Sequence, residues 1–308
     1  SKQEIAAKQA KHKTLYPRYG EEEWTMRIDY HMHFEYGSYD LEWVKGFFEH
    51  AAKRGIDEIG ISEHSHTFVE FQPLYEQDLI LDDSEIGRFQ KEWLKKGKFR
   101  YRLEEYLTFM DKLKALGYPV KTGIEVCNFN DQAQVAKVLG SYQFDYVIGS
   151  VHFLEGWGYD FSALMKVWDT KNLEDLYRQY VEAIKNLAAS GLYDVLGHPF
   201  NIRLFKHLPT FDALPYVKQA VAALKAADMA ADINTGTLYR YPIEEISPYP
   251  DFLKEARTQG LPVILSSDAH QPEDCGRYIA EAAAYAQSVG YDQIAVFAKR
   301  QRTLQPLS

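Results

Sequence analysis

A segment near the N-terminus has the composition of a β-strand and ends in two histidines: Arg27-Ile28-Asp29-Tyr30-His31-Met32-His33. Alternate residues of a strand face the same side, so the imidazoles of His31 and His33 point to one place. Further predicted strands end in a histidine or, in one case, a carboxylate: His64, His152, His198, His270 and Glu125. Neutral imidazole and carboxylate are the usual ligands of zinc, manganese and iron. The pattern predicts a metal centre whose ligands are distant in sequence and brought together by the fold.

Strand-like runs alternate with helix-like segments along almost the whole chain. One helix is predicted from the N-cap Asp40 to about Arg54, and a strand follows it at 56–62. Further strands are predicted at 120–124, 144–151, 193–196, 229–233 and 262–266, with a last strand or turn at 294–297. Further helices are predicted at 103–116, 132–139, 173–189 with an end near Gly191, 213–227, 250–258 and 278–288. Seven such steps indicate a parallel sheet with right-handed crossovers. An open sheet would place its site at one switch point served by few strands. The C-terminal strand ends of a parallel barrel all converge on one face, so ligands after nearly every strand predict an α/β fold with a closed or nearly closed barrel.

The chain has 308 residues, 46% of them hydrophobic, and a formal net charge of −9. We expect a single domain over residues 1–308, with an N-terminal extension at 1–23, because no linker or internal repeat interrupts the pattern. The acidic balance disfavours nucleic acid as a partner. It does not exclude a small anionic substrate, since bound divalent ions reverse the local field. The sequence leaves the oligomeric state open.

The two cysteines, Cys127 and Cys275, fit a reducing compartment, with one disulfide as the alternative. No apolar stretch approaches the ~20 residues that span a bilayer. The first residues contain no apolar signal-peptide core. We therefore expect a cytoplasmic protein without a membrane partner.

Two segments interrupt the alternation. Residues 65–102 contain several aromatic residues and then a basic stretch, which is compatible with a lid over the site or with a solvated surface helix. Residues 154–173 place Trp157, Tyr159 and Asp160 shortly after His152. We predict that aromatic side chains of this second segment, Trp157 above all, form a wall of the substrate pocket.

Six segments, in this order, resemble the motifs of the PHP (polymerase and histidinol phosphatase) superfamily. They are Asp29-Tyr30-His31-Met32-His33, Ser62-Glu63-His64, Gly123-Ile124-Glu125, Gly149-Ser150-Val151-His152, Gly197-His198-Pro199 and Ser267-Asp268-Ala269-His270. The resemblance covers about residues 26–300. It implies a distorted (β/α)7 TIM-like barrel that holds two to three divalent metal ions, which would be zinc, iron or manganese.

The resemblance also implies three ligand sets that share one glutamate. They are His31, His33, Glu125 and Asp268 for the first ion, Glu125, His152 and His198 for the second, and His64 and His270 for the third. Many relatives place a further histidine or aspartate shortly after the first two histidines, and this chain does not. We assign that position to Glu35, because Asp40 is explained as a helix N-cap. His66 has no counterpart in the motifs and is interpreted as facing the substrate or supporting a ligand.

Such a cluster suits phosphoric monoester hydrolysis. Metal coordination lowers the pKa of water and makes hydroxide available, and the ions offset charge on the phosphate oxygens. Asp268 or a neighbouring histidine such as His270 is expected to protonate the leaving alcohol.

Three further segments resemble the histidinol-phosphatase branch of the superfamily: Gly149 to Trp157, Gly197 to Arg203 and Asp232 to Arg240. This resemblance implies L-histidinol phosphate as the substrate. Arg203 and Arg240 would then hold its phosphate, unless they form surface ion pairs. Glu63 or Glu155 would bind its amine. A phosphoesterase acting on nucleotides, oligonucleotides or another small phosphate, and a non-catalytic metal-stabilised binding module, are the alternatives.

Overall fold

Seven parallel strands form one sheet in the computed structural model, which describes residues 26–307. Between residues 26 and 266 there are nine strands, seven of which belong to this sheet. In chain order they are β1 (Ile28–Asp29), β2 (Glu58–His64), β3 (Val120–Cys127), β4 (Ile148–Ser150), β5 (Phe153–Leu154), β6 (Trp157–Gly158), β7 (Val195–Leu196), β8 (Ala230–Asn234) and β9 (Val263–Ser266). The sheet order is β1-β2-β3-β4-β7-β8-β9, and β5 and β6 form a separate antiparallel pair. The predicted extension at 1–23 lies outside the described residues.

The two edges of this sheet meet. The backbone N–H of Tyr30 donates to the carbonyl of Leu265 (3.1 Å), and that of His33 donates to the carbonyl of Ala269 (2.8 Å). These bonds place β1 beside β9 and nearly close the sheet into a barrel. The predicted distorted (β/α)7 barrel is therefore confirmed.

Helices follow most of the strands, as the alternation predicted. They are α1 (Leu41–Lys53), α2 (Gln72–Asp78), α3 (Glu85–Lys95), α4 (Leu103–Ala115), α5 (Gln132–Leu139), α6 (Leu173–Ser190), α7 (Leu214–Ala226), α8 (Gly236–Arg240), α9 (Pro250–Thr258) and α10 (Ile279–Ser288). Asp40 caps α1, because its Oδ1 accepts from the backbone N–H of Trp43 (2.8 Å). Gly191 ends α6 in the left-handed region, with φ 69°.

The C-terminal region departs from the simple alternation. The predicted last strand at 294–297 is β10 (Gln293–Ala298), and it pairs antiparallel with β11 (Gln301–Pro306) outside the barrel sheet. The predicted strand at 144–151 is also shorter than expected, because the backbone N–H of Val147 donates to the side chain of Asp194 rather than to a neighbouring strand.

A tyrosine fills the centre of the barrel below the site. The ring of Tyr146 stacks on that of Tyr30 with 5.4 Å between centroids, and its hydroxyl donates to the carbonyl of Tyr30 (2.6 Å). A Cβ at Gly60 or Gly123 would lie 2.1 Å or 2.5 Å from atoms of Tyr146. Glycine is therefore required at both positions, and the packed floor leaves the opposite end of the barrel for chemistry.

The segment 65–102 folds over the loop that follows β4. The amide of Gln90 in α3 donates to the carbonyl of Gly156 (3.0 Å) and accepts from the N–H of Gly158 (2.9 Å). The ring of Trp93 lies 5.0 Å from that of Phe161. The segment is thus packed beside the site, and whether it moves as a lid stays a prediction.

Two further observations concern the whole described chain. Cys127 and Cys275 are both buried and free, so the alternative of a disulfide is wrong. Among the helices of residues 26–307, no helix combines the length and the apolar character that a bilayer crossing requires.

Candidate metal centre

The carboxylate of Glu125, at the end of β3, lies at the centre of the site and is 1% exposed. Five imidazole nitrogens surround it. The distances are 3.3 Å from its Oε1 to His31 Nε2, 3.1 Å to His198 Nε2 and 3.6 Å to His152 Nε2, and from its Oε2 3.2 Å to His64 Nε2 and 3.7 Å to His33 Nε2. Four strand ends, of β1, β2, β4 and β7, therefore meet at one carboxylate of a fifth strand, and that carboxylate can offer an oxygen to more than one ion.

Two more carboxylates complete the cluster. Asp268 Oδ1 lies 3.4 Å from His33 Nε2. Glu35, from the loop after β1, has its Oε2 3.3 Å from His64 Nδ1 and its Oε1 3.6 Å from His270 Nε2. The structure thus brings all the predicted ligands together, Glu35 included. His66 joins them at the edge, with its Nε2 3.8 Å from Glu35 Oε2.

The donor atoms fit divalent metal ions. Several buried ring nitrogens and one carboxylate oxygen have no hydrogen-bond partner within residues 26–307: His31 Nε2, His33 Nε2, His64 Nδ1 and Glu125 Oε2. Leaving such atoms buried without a partner is costly. Imidazole nitrogens and carboxylate oxygens held a few ångströms apart are the ligand set of zinc, iron and manganese sites.

The protonation states also fit ligation. Burial lowers the pKa of His33 to about 4 and that of His152 to about 3, so both imidazoles are neutral near pH 7. Burial alone would raise the pKa of Glu125, but the adjacent His31 and His64 hold it well below its usual value. His33, His152 and Glu125 are thus in the forms that bind metal. Burial alone would lower the pKa of His31 and His64, but Glu125 beside the first and Glu35 beside the second raise it, so metal binding at these two residues releases protons.

Asp232 was not predicted to be part of the site. It is fully buried on β8. Its Oδ2 accepts from His31 Nδ1 (2.9 Å) and from the backbone N–H of His198 (3.3 Å), and its Oδ1 accepts from Ser266 Oγ (2.5 Å). A carboxylate at Nδ1 fixes the His31 tautomer that leaves Nε2 free for metal. The available signal was a charged residue in the middle of an otherwise apolar predicted strand.

A cavity of about 60 Å³ opens beside the cluster and is lined by Arg240 and Asp160. Arg240 Nη1 donates to Asp268 Oδ1 (3.0 Å) and to the backbone carbonyl of Asp268 (2.8 Å). Burial raises the pKa of Asp160 to about 7. Among residues 26–307, no cationic side chain forms an ion pair with Asp160. The cavity thus carries one guanidinium and one unpaired carboxyl group.

A second cavity, of about 170 Å³, adjoins the first. The ligand histidines and Asp160 lie at the junction, since both cavities are lined by His64, His152, Asp160 and His270. The outer walls of the second cavity are aromatic and come partly from the segment 65–102: His66, Tyr75, Trp93 and Phe161. Lys98 lies at the rim, with its Nζ 4.8 Å from the ring centroid of Trp93, and burial lowers its pKa. Of these walls, His66 had been interpreted as facing the substrate or supporting a ligand, and Phe161 belongs to the segment 154–173 that was predicted to supply an aromatic wall; Tyr75 and Trp93 were not assigned.

Two of the predicted substrate contacts lie elsewhere. Trp157 is fully buried in β6, where its ring packs edge-on against Trp168 at 5.3 Å, because the β5–β6 hairpin turns it into the core. Arg203 donates to Glu245 Oε2 (3.1 Å) and lies over the ring of Tyr249 at 4.1 Å. Trp157 is therefore a core residue, and Arg203 forms the surface ion pair that was the alternative to phosphate binding.

The two glutamates suggested for the substrate amine also lie away from the cavities. Glu63 is fully buried and accepts from the backbone N–H of Phe34 (2.8 Å). It precedes His64 on β2, so its side chain faces the opposite side of the sheet. Glu155 is exposed and pairs with Lys171. The acidic group that does line both cavities is Asp160.

Comparison with known proteins places the chain in a family. The model of the family described as PHP domain matches residues 29–236. The chain belongs to the PHP domain family. The match begins at β1 and includes the strand ends up to β8, so most of the PHP cluster described above lies within it.

Two relatives of this PHP protein are named as histidinol-phosphatases. A protein named probable histidinol-phosphatase from Deinococcus radiodurans is 34% identical over 217 residues, which cover 68% of this chain and 80% of that protein. The histidinol-phosphatase of Bacillus subtilis is 26% identical over 276 residues, which cover 80% of this chain and 95% of that protein.

One solved structure shares the fold. The crystal structure of histidinol phosphate phosphatase from Lactococcus lactis subsp. lactis, complexed with zinc, L-histidinol and phosphate, aligns with a TM-score of 0.69 at 21% identity. The alignment covers 90% of this chain and 98% of that one. The two proteins therefore have the same barrel architecture.

Proposed function

We propose that this protein is a metal-dependent phosphoric monoester hydrolase whose substrate is L-histidinol phosphate. The observation that carries the proposal is the cluster of imidazoles around Glu125, which opens into a cavity containing Arg240. The names of the two relatives and the ligands of the Lactococcus lactis structure support the choice of substrate. Histidine biosynthesis is the process that needs this reaction.

We assign two to three divalent ions, zinc, iron or manganese, to the cluster. The proposed ligands are His31, His33, Glu125 and Asp268 for the first, Glu125, His152 and His198 for the second, and Glu35, His64 and His270 for the third. When bound, such ions lower the pKa of water toward neutrality and stabilise negative charge on phosphate oxygens. Asp232 holds His31 in the tautomer that this binding requires.

Arg240 is the proposed phosphate-binding residue. Its Nη1 donates a hydrogen bond to Asp268, while the side chain still lines the cavity and is 26% exposed. A guanidinium donates two parallel hydrogen bonds to phosphate oxygens, so it orients the ester as well as binding it. The ion pair with Asp268 keeps the planar group in place before the substrate arrives.

Asp160 is the proposed binding residue for the positive amine of the substrate. It lines both cavities, and no cationic side chain within residues 26–307 forms an ion pair with it. The aromatic walls of the second cavity, Trp93 and Phe161, suit the flat imidazole ring of histidinol phosphate. With phosphate at Arg240 and the amine at Asp160, one small molecule occupies both cavities.

Asp268 or a neighbouring histidine such as His270 was predicted to protonate the leaving oxygen, and both residues are better suited to bind metal. Burial alone would raise the pKa of Asp268, but Arg240 and His33 hold it well below its usual value. Burial and Arg240 lower the pKa of His270 well below its usual value. Near pH 7 both residues are deprotonated, so neither has a proton to give. We therefore assign both to ligation.

The test is phosphate release from L-histidinol phosphate, measured beside p-nitrophenyl phosphate, nucleotides and sugar phosphates, with metal content determined on the same sample. We expect clear preference for L-histidinol phosphate and two to three ions per chain. Full metal content with preference for another ester would support the assignment as a hydrolase and refute L-histidinol phosphate as the substrate. Metal-loaded protein without activity on any ester would support the non-catalytic binding module instead.

The role of Asp160 is tested by Asp160→Asn on two substrates. Loss of a hydrogen bond to a charged group costs about 1.5–3 kcal/mol, so we expect kcat/KM for L-histidinol phosphate to fall roughly 10- to 150-fold. The ester p-nitrophenyl phosphate, which has no amine, serves as the matched control and should react at the parent rate. An equal loss on both substrates would assign Asp160 to the chemistry rather than to amine recognition.

A further inference from the structure

Three of the proposed ligand histidines are supported by chemically different partners at Nδ1. His31 Nδ1 contacts the carboxylate of Asp232 (2.9 Å), and His270 Nδ1 contacts a backbone carbonyl (2.9 Å). His152 Nδ1 contacts the sulfur of Cys127 (3.2 Å). A carboxylate or a carbonyl can only accept, whereas a thiol both donates and accepts weakly.

This difference determines which tautomer of each histidine is stable. An acceptor at Nδ1 requires the proton there and leaves Nε2 free to bind an ion. The thiol of Cys127 permits both arrangements, because its S–H can also donate to His152 Nδ1. In that second arrangement the His152 proton lies on Nε2, the atom that faces Glu125 and His198. His152 alone among these three is not held in the metal-binding form.

The surroundings of Cys127 reinforce its link to His152. Its sulfur also lies 3.1 Å from the hydroxyl of Tyr75, which lies 2.8 Å from Ser65 Oγ. Tyr75 belongs to α2, within the segment 65–102. The backbone of His152 is fixed separately, because Asn128 Oδ1 accepts from its N–H (3.0 Å). The thiol therefore affects the orientation of the imidazole and not the course of the chain.

We propose that Cys127 is the positioning residue of His152, and that its thiol makes the ion at His152 and His198 the most readily exchanged of the cluster. The inference rests on the proposed metal centre but not on the identity of the substrate. Loss of a residue that supports a metal ligand lowers metal affinity about 10- to 100-fold. Because a thiol is a weak partner, we expect its loss to have an effect near the lower end of that range.

The test measures metal release without reference to activity. Metal-loaded parent protein is dialysed against a chelator, and the ions remaining per chain are followed by elemental analysis. We expect one ion to leave before the others. In His152→Ala that ion should be missing from the start. In Cys127→Ala it should leave about ten times faster than in the parent, whereas Cys127→Ser, which keeps a donor and acceptor, should release it close to the parent rate.

Cys275→Ala is the matched control, because Cys275 is also a buried free thiol and is not among the residues that line the two cavities. It should release metal as the parent does. Simultaneous loss of all ions from the parent, or parent-like release from Cys127→Ala, would overturn the inference while leaving the metal centre intact. Equal acceleration in Cys127→Ala and Cys127→Ser would overturn it too, by showing that packing and not hydrogen bonding is responsible. Parent protein that binds no metal would overturn the metal centre as well.

Discussion

Asp232 offers the sharpest test of how the metal centre is held. Its Oδ2 accepts from His31 Nδ1 (2.9 Å), from the His198 backbone (3.3 Å) and from Asn234 Nδ2 (3.1 Å), while Oδ1 accepts from Ser266 Oγ (2.5 Å). In Asp232→Asn the amide oxygen can still face the three donors, because the hydroxyl of Ser266 can accept from the new NH2 group. The substitution therefore removes the charge but keeps the acceptor. In Asp232→Ala both are lost.

The two variants should lower metal affinity by different amounts. Residues that support metal ligands contribute about 10- to 100-fold to affinity, which is about 1.4–2.7 kcal/mol. Since Asp232→Asn retains the tautomer of His31, we expect its affinity for the ion at His31 to fall about tenfold. Asp232→Ala frees the imidazole of His31 and leaves the donors unpaired, so we expect its metal affinity to fall about 100-fold. Competition against a chromogenic chelator measures both values.

A matched control separates this effect from general destabilisation. Asp194 is a carboxylate near the start of β7, where it accepts from the backbone of Val147 (2.7 Å) and pairs with Arg300. Asp194→Asn should lower the melting temperature and leave metal affinity unchanged. Affinity of Asp232→Asn within a factor of two of the parent, together with a loss in Asp232→Ala no larger than in Asp194→Asn, would refute the proposed role of Asp232.

Other predictions distinguish residues of the cavity from residues near it. Arg240→Ala should raise KM for phosphomonoesters roughly 10- to 150-fold through loss of a charged hydrogen bond. Arg203→Ala should change KM less than twofold, because Arg203 lies outside the cavity. Equal effects of the two variants in steady-state kinetics would contradict the assignment. Trp157→Phe should lower the free energy of unfolding by roughly 1–3 kcal/mol in urea titrations because it leaves a void. A changed KM would indicate instead that Trp157 contacts the substrate. Removal of the ions by a chelator should lower the melting temperature in calorimetry, since ligand at 1,000 times its Kd contributes about 4 kcal/mol, and an unchanged transition would argue against ions in the cluster.

The parts that sequence reasoning predicted well are local in origin. The cap at Asp40, the glycine that ends α6 and the limits of α5 and α9 each depend on a few neighbouring residues. The proposed ligands share this property, because each lies at or after a strand end and parallel strands bring their C-terminal ends together. Glu35 could be selected as well, since the loop after His33 is short and offers few donors.

The errors concern residues whose direction depends on contacts distant in sequence. Trp157 is close to His152 in the chain, but the β5–β6 hairpin turns it toward Trp168. Arg203 lies on a motif segment, yet Glu245, from another part of the chain, holds it at the surface. Spacing alone does not report such partners, so a predicted contact can be near the site in sequence and outside it in space.

What the sequence alone determined is the order of strands along the chain, the barrel and the residues that meet in the cluster, because periodicity and strand ends are short-range properties. What only the tertiary structure decided is how those residues are supported. Asp232 reaches His31 across 201 positions of sequence, and Tyr75 reaches Cys127 across 52. Hydrogen bonds of this kind require two atoms about 3 Å apart in a packed interior. For Asp232 that proximity is set by the closing of the barrel, which places β9 between β8 and the end of β1. For Tyr75 it is set by the packing of the segment 65–102 beside the site.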